Sequence, residues 1–112
     1  MKGIEVSKQD GGVVVRFKAP KLTDDDQILS LSDELREALD SVLSGERLLI
    51  DFQNVEIVAS MLLGDLVLLN KAAARQGVSL QFCRLSSDVM RVISTCQLDR
   101  LFDILPDASP DE

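Results

Sequence analysis

The sequence predicts an α/β protein in which helices pack on a mixed β-sheet, and three observations support this prediction. Short apolar segments of strand length alternate with longer amphipathic segments of helical period. A turn with two glycines joins the first two strand-like segments, which is typical of an antiparallel hairpin. The later strand–helix–strand units require right-handed crossovers, so their strands should lie parallel to one another.

The first part of the chain predicts this hairpin and then a helix. Residues 4–8 and 13–19 have the character of strands. A helix is predicted over residues 28–43, with Thr23 or Asp26 as its N-cap. The acidic residues before this helix suit the positive end of its dipole, and nothing near them completes a metal site.

The middle of the chain predicts a strand, a helix and a second strand. Residues 47–52 form a continuous apolar run, as expected for a central strand that is covered on both faces. Ser60 begins the next helix, and Gly77 suits the left-handed position that ends it. Residues 78–83 are the following strand.

The end of the chain predicts a short helix, a last apolar element and a tail. Ser86 and Ser87 supply an N-cap and a first helical turn, and residues 98–105 form the apolar element. Residues 106–112 are acidic, contain two prolines and should be disordered. Since 112 residues suit one hydrophobic core, we predict a single domain over residues 1–105.

Charge and hydropathy exclude several classes of function. The net charge is −7, from 19 acidic and 12 basic residues, so a nucleic acid or an anionic membrane surface would be repelled. No apolar run is long enough to span a bilayer, and the N-terminus lacks the apolar region of a signal peptide. We therefore expect a cytoplasmic protein that binds neither nucleic acid nor membrane.

The residue types do not predict catalysis, a metal site or a cofactor. Histidine is absent, which removes the commonest general base and the commonest metal ligand. Cys83 and Cys96 are too few for a four-ligand zinc site, and both are expected to be small buried hydrophobic residues. No Gly-rich phosphate-binding loop is present. We expect a protein that is not an enzyme.

The start of the helix at Ser60 is the strongest candidate for a functional site. A serine at an N-cap can be purely structural, since it accepts a backbone N–H and stabilises the helix by about 1 kcal/mol. A phosphate there would add about −1.5 to −2 charges at the positive end of the helix dipole. The helix also has more apolar residues than one stripe can bury, which marks either a partner site or a helix held between neighbours.

Several segments in a fixed order point to a known family. They are RLLIDFQNVEIV at 47–58, Ser60 with LLGDL at 62–66, VSLQFC at 78–83, LSSDVMRVI at 85–93 and QLDRLFDI at 97–104. Together they resemble the STAS domain and, more narrowly, the bacterial anti-sigma factor antagonists. The resemblance covers residues 4–105 and implies a single STAS-like domain.

What the resemblance implies about function centres on Ser60. The family turn commonly has the sequence Asp-Ser-Ser-Gly-Leu-Gly, and Ser60 falls on the serine that a partner anti-sigma kinase phosphorylates. This chain departs from the family turn because Ala59 replaces the aspartate, while Met61 and Leu62 replace Ser-Gly. The implied partners are an anti-sigma factor or serine kinase and a serine phosphatase. The implied partner-binding residues are Ala59, Ser60, Met61, Leu62, Asp65 and Leu69.

Two other functions are compatible with the same fold. One is a STAS scaffold that is not phosphorylated and acts in a larger signalling assembly, which the departures at Ala59, Met61 and Leu62 favour. The other is a STAS module that binds a small ligand or a nucleotide. The sequence leaves both a monomer and a weak dimer open.

Overall fold

A five-stranded mixed sheet is the framework of the computed structural model, which describes residues 3–106. In chain order the elements are β1 (Ile4–Gln9), β2 (Gly12–Phe17), β3 (Lys21–Leu22), α1 (Asp25–Asp40), β4 (Arg47–Asp51), β5 (Ile57–Val58), α2 (Ser60–Arg75), β6 (Ser79–Cys83), α3 (Ser87–Thr95), a 3-10 turn (Leu98–Arg100) and β7 (Asp103–Ile104).

The order of the strands across the main sheet is β1-β2-β4-β6-β7. Strands β1 and β2 are antiparallel, and the other neighbours in this sheet are parallel. Strands β3 and β5 form a separate parallel pair of two residues each. The predicted fold class, a mixed sheet with an N-terminal antiparallel hairpin and helices packed on it, is confirmed.

All three helices pack on one face of the main sheet. Because side chains alternate along a strand, Val13, Val15 and Phe17 of β2 face the helices, whereas Val14 faces away from them. Four phenylalanines run through the helix-facing core in a continuous line of ring contacts. Their ring centroids are 5.3 Å apart for Phe17 and Phe52, 5.2 Å for Phe52 and Phe82, and 4.6 Å for Phe82 and Phe102.

The other face of the sheet has a charged cluster at its carboxyl edge. Asp51 is fully buried there and accepts hydrogen bonds from Arg16 Nε at 2.8 Å and from two nitrogens of Arg84. Burial by itself would raise the pKa of Asp51, but the hydrogen bonds from Arg84 and Arg16 outweigh it and hold that pKa below its ordinary value. The cluster lies beside the buried side chains of Leu49 and Cys83.

The helix after the hairpin begins and ends three residues earlier than predicted. Its N-cap is Asp24, and neither Thr23 nor Asp26 takes that role. Asp24 Oδ2 accepts the Gln27 N–H at 3.0 Å, while the Gln27 side chain accepts the Asp24 N–H at 3.4 Å, which completes a capping box. The prediction failed because it followed the apolar period, which begins only after this first polar turn.

Two predictions for the end of the chain need correction. Cys96 is exposed, because it lies just after α3 and not on its buried side, whereas Cys83 is buried as predicted. The apolar element predicted at 98–105 is divided into a 3-10 turn and a short strand, with Phe102 buried and Leu101 exposed. Of the predicted tail, Pro106 is exposed and residues 107–112 lie outside the described residues.

Candidate functional site

The candidate site lies where the short β3–β5 pair leads into the two long helices. Leu22 pairs with Val58, and the Ala59 N–H donates to the Leu22 carbonyl at 2.9 Å. Because the two strands are parallel and in register, α1 and α2 begin side by side at the same end of the molecule. The first residue of α2 is Ser60, and its side chain is exposed.

The structure corrects the capping role predicted for Ser60. Ala59 is the N-cap of α2, with the extended conformation usual for that position, and no side chain caps the helix. Ser60 is already inside the first helical turn, so its hydroxyl is not used to close the helix. The first turn of α2 also has no acidic residue. The positive end of this helix therefore has no charged side chain of its own to balance it.

The exposed apolar surface around Ser60 differs in part from the predicted one. Met61 is 40% exposed and Ile57, from β5, is 47% exposed. Leu62 and Leu69 are buried at 0% and 4% exposure, so their side chains are covered by the fold, and their role in partner binding stays a prediction. They are buried because α2 packs against both the sheet and α1, and this uses a wider face than a single stripe.

Asp65 and Ala59 keep positions compatible with contact to a partner. Asp65 is half-buried and lies in a shallow groove between α1 and α2, together with Leu68 and Arg36. Ala59 is half-buried and packs against the core from the rim of the site. The roles assigned to these residues and to Ser60 stay predictions.

Gly64 lies on the outer surface of α2, where neither packing nor backbone conformation requires a glycine. A Cβ atom built at Gly64 would meet nothing within 4 Å, and the residue does not have a left-handed backbone. Inside a helix a glycine is about 1 kcal/mol less favourable than alanine. The fold would thus accept alanine here, and the glycine leaves an open notch on the exposed side of the helix.

Hydrogen bonds fix the loop that carries the chain from β4 to this site. Asp51 Oδ1 accepts the Gln53 N–H at 2.9 Å, and Asn54 Nδ2 donates to the Phe17 carbonyl at 3.2 Å. The Glu56 N–H donates to the Pro20 carbonyl at 2.7 Å. Asp51 was not among the predicted site residues, although a carboxylate within an apolar strand is the kind of residue that is buried only when it is paired.

The described residues contain no metal-binding cluster, and the buried Cys83 thiol is not activated. Over residues 3–106, no three His, Cys, Asp or Glu side chains are grouped so that they could hold a metal ion. Burial, as the main cause, raises the pKa of the Cys83 thiol to about 11, so this thiol is not a ready nucleophile at neutral pH. In the same part of the chain no helix is both long and apolar enough to cross a membrane.

A family model for the STAS domain matches residues 4–109 of this chain. The match covers most of the sequence, and the chain therefore belongs to the STAS family. The resemblance inferred from the segments around Ser60 is confirmed at this level. A comparison with curated proteins found no match.

Solved structures of STAS proteins share this fold. A STAS-domain anti-sigma-factor antagonist protein from Planctomyces limnophilus is 18% identical, with a TM-score of 0.85 over 96% of this chain and 92% of its own. The unphosphorylated anti-sigma factor antagonist SpoIIAA is 16% identical, with a TM-score of 0.71 over 96% and 90%. A chain from the stressosome, described as a signal integration and transduction hub, is 17% identical, with a TM-score of 0.64 over 92% and 88%. At these identities the likeness shows the fold.

Proposed function

We propose that this protein is a cytoplasmic regulatory module that binds an anti-sigma factor or serine kinase and releases it when Ser60 is phosphorylated. The observation that carries the proposal is an exposed hydroxyl on the first residue of α2, beside an exposed apolar pair. Membership of the STAS family and the likeness to anti-sigma factor antagonists support it.

The switch would act through charge and leave the fold in place. A phosphate on Ser60 would add about −1.5 to −2 charges at a helix start that has no acidic residue, and the dipole stabilises charge of this sign. A partner packed over Met61 and Ile57 would have to desolvate that phosphate, which is costly when no counter-charge is supplied. Phosphorylation would therefore expel the partner. A serine phosphatase would restore binding.

The contact surface that fits this proposal differs slightly from the one expected from the sequence. Ala59, Ser60, Met61 and Asp65 remain in it, and Ile57 joins them because its side chain is exposed beside the helix start. Leu62 and Leu69 act from beneath by holding α2 on the sheet and α1. The neighbouring start of α1 adds negative charge through Asp24, Asp25 and Asp26.

The experiment is phosphorylation with ATP and candidate anti-sigma kinases, with the modified residue mapped by mass spectrometry. Ser60→Glu should weaken binding to the kinase that modifies the protein. The matched control is Ser87→Glu, because Ser87 is also an exposed first residue of a helix, α3. Phosphate found only on other residues, or equal binding by the Ser60→Glu and Ser87→Glu proteins, would refute the switch.

A second candidate keeps the surface and omits the phosphate. The exposed Met61 and Ile57 suit a constitutive contact in a signalling assembly, and a chain of the stressosome shares the fold. In that case Ser60 would carry no phosphate in the assembly, and Ser60→Ala would leave function intact. Met61→Asp would still abolish it, because a charge would then have to be buried in the interface.

A further inference from the structure

The outer surface of α2 beyond the Ser60 turn is left largely uncovered by the rest of residues 3–106. Residues at helical spacings of three and four form an exposed stripe along it. We call this set the outer stripe, and it consists of Met61, Gly64, Asp65, Leu68, Lys71 and Arg75. Leu68, at its centre, is 56% exposed. A single exposed leucine is ordinary, so the inference depends on what surrounds it.

The first surrounding feature is the order of charge along the outer stripe. Asp65 comes three residues before Leu68, and Lys71 comes three residues after it. Neither Asp65 nor Lys71 takes part in an ion pair within the described part of the chain, although Arg36 shares a groove with Asp65. An acidic half and a basic half at equal distances from a central leucine form a pattern that complements itself when two copies run antiparallel.

The second feature is the notch at Gly64. Viewed down the helix at 100° per residue, Gly64 and Lys71 lie on the same side of Leu68, and Asp65 lies on the other side. When two such helices face each other antiparallel, Lys71 of the partner subunit lies over Gly64. Its aliphatic chain then fills the open notch, and its ammonium group reaches Asp65.

We propose that a second copy of this chain docks on the outer stripe, with the two α2 helices antiparallel about a two-fold axis at Leu68. In this dimer Leu68 packs on Leu68 of the partner subunit, and two pairs between Asp65 and Lys71 flank it. Parallel helices would instead oppose like charges, so the charge order selects the antiparallel arrangement. The inference goes beyond the proposed function and does not rest on it, because no step involves phosphate.

We expect the dimer to be weak, because its interface is small and its two chains repel each other. One helix against one helix buries less than the roughly 800 Å² per subunit of a standard interface, and each chain carries a net charge of −7. We therefore expect half-association at roughly 0.1 to 1 mM chain in about 0.15 M salt, where distant charges are screened. Met61 would be covered in this state, so the dimer would compete with any partner that uses the same helix.

The test is sedimentation equilibrium of the full chain from roughly 10 µM to 1 mM. Leu68→Asp should weaken association by about tenfold or more, since it buries two facing charges at the axis. Leu43→Asp is the matched control, because Leu43 is 69% exposed and lies outside α2. A wild-type chain that stays monomeric at the highest concentration, or equal losses in the two variants, would overturn the proposal.

A mixing experiment tests the antiparallel register itself. Asp65→Lys alone and Lys71→Asp alone should each weaken self-association by about tenfold, because like charges then face each other. A mixture of these two variants should recover association near the wild-type level, since every facing pair again has opposite signs. All the exchanged residues are exposed or half-buried, so we expect the variants to fold. An unchanged circular dichroism spectrum checks this. Failure of the mixture to recover would refute this register.

Discussion

The two long helices of this protein begin side by side, but their first turns are built differently. At the start of α1, Asp24 closes a capping box with Gln27, and Asp25 and Asp26 add negative charge. At the start of α2, the N-cap Ala59 has no side chain that can accept a hydrogen bond, and the first turn has no acidic residue. The start of α1 is therefore stabilised by a side-chain cap, a capping box and charges that suit the helix dipole. The start of α2 leaves the positive end of its helix unbalanced, next to an exposed serine.

The contrast separates a structural helix start from one that suits regulation. A side-chain cap at the start of α2 would contribute about 1 kcal/mol, and this chain does without it. An anion that arrives later can then interact with a helix end that no side chain of α2 itself has neutralised. The following changes test the difference between the two helix starts and the loop that leads to the second. They are ordered by the size of the expected effect.

The largest effect is expected at Asp51, which anchors the loop that leads from β4 to Ser60. Asp51→Asn should destabilise the protein by about 3 kcal/mol, because two arginines lose the charge that compensates them. Both arginines are partly exposed, which keeps the loss at the lower end of the range for a buried pair. Denaturant unfolding followed by circular dichroism measures this loss. A loss below 1 kcal/mol would show that the cluster does not hold the loop to Ser60 in place.

The same pair of proteins gives a test of pH dependence. The pKa of Asp51 is lowered from 3.8 in the folded protein, so the unfolded chain binds this proton first as pH falls. The stabilisation is complete above the unfolded value and is lost as pH falls through the folded value. Wild-type stability should therefore decrease below pH 3.8 more steeply than that of Asp51→Asn. Parallel curves of unfolding free energy against pH would contradict this.

The next effect removes the cap that distinguishes α1. Asp24→Ala should destabilise the protein by about 1 to 2 kcal/mol, because the Gln27 N–H loses its acceptor and the capping box is lost. For a domain of this size the melting temperature should fall by roughly 4–8 °C for each kcal/mol. Asp33→Ala is the control, since Asp33 is exposed in the middle of the same helix.

The converse change gives α2 the cap that it lacks. Ala59→Asp should stabilise the protein by about 0.5 to 1 kcal/mol, since the new carboxylate can accept an N–H of the first turn and faces the positive end of the helix. Thermal melting measures this gain. The same variant should bind a partner less tightly, as is expected of Ser60→Glu. A protein that is both more stable and bound more tightly would contradict the proposed role of charge at this end.

The smallest effect is expected from a charge on the serine itself. Ser60→Glu should stabilise the protein by about 0.3 to 1 kcal/mol through the dipole of α2, with no new hydrogen bond required. The control Ser87→Glu should gain less, because α3 already has Asp88 in its first turn and Ser86 as its N-cap. Added salt should reduce both gains. If Ser87→Glu gained more stability than Ser60→Glu, the claim that the positive end of the α2 dipole lacks a compensating charge would be refuted.

The parts of the fold that local patterns determine could be predicted from the sequence. The hairpin, the central strand at Leu48 to Ile50 and the left-handed Gly77, with a φ of 73°, follow from alternation, apolar runs and turn chemistry. The cap of α1 was missed because four neighbouring residues can all cap a helix. Only the spacing from Asp24 to Gln27 distinguishes one of them.

The parts of the site that depend on distant neighbours could not be predicted in the same way. Leu62 and Leu69 were expected on the surface because a single helix buries one stripe, and only the packing of α1 beside α2 shows that both are covered. The pairing of Asp51 with Arg84 joins residues 33 apart in the chain. No local period records such a contact, because it depends on which strands become neighbours.

The β3–β5 pair that leads into Ser60 is only two residues long and is separate from the main sheet. The pair has few ladder hydrogen bonds, so we expect it to open at a free energy below that of global unfolding, even though Leu22 and Val58 pack in the core. The amide protons of Ile57 and Ala59, which bond the carbonyls of Pro20 and Leu22, would then exchange with solvent early. Ile57 and Val58, which closely precede Ser60, would then lie in an extended segment open to an enzyme that modifies the start of α2.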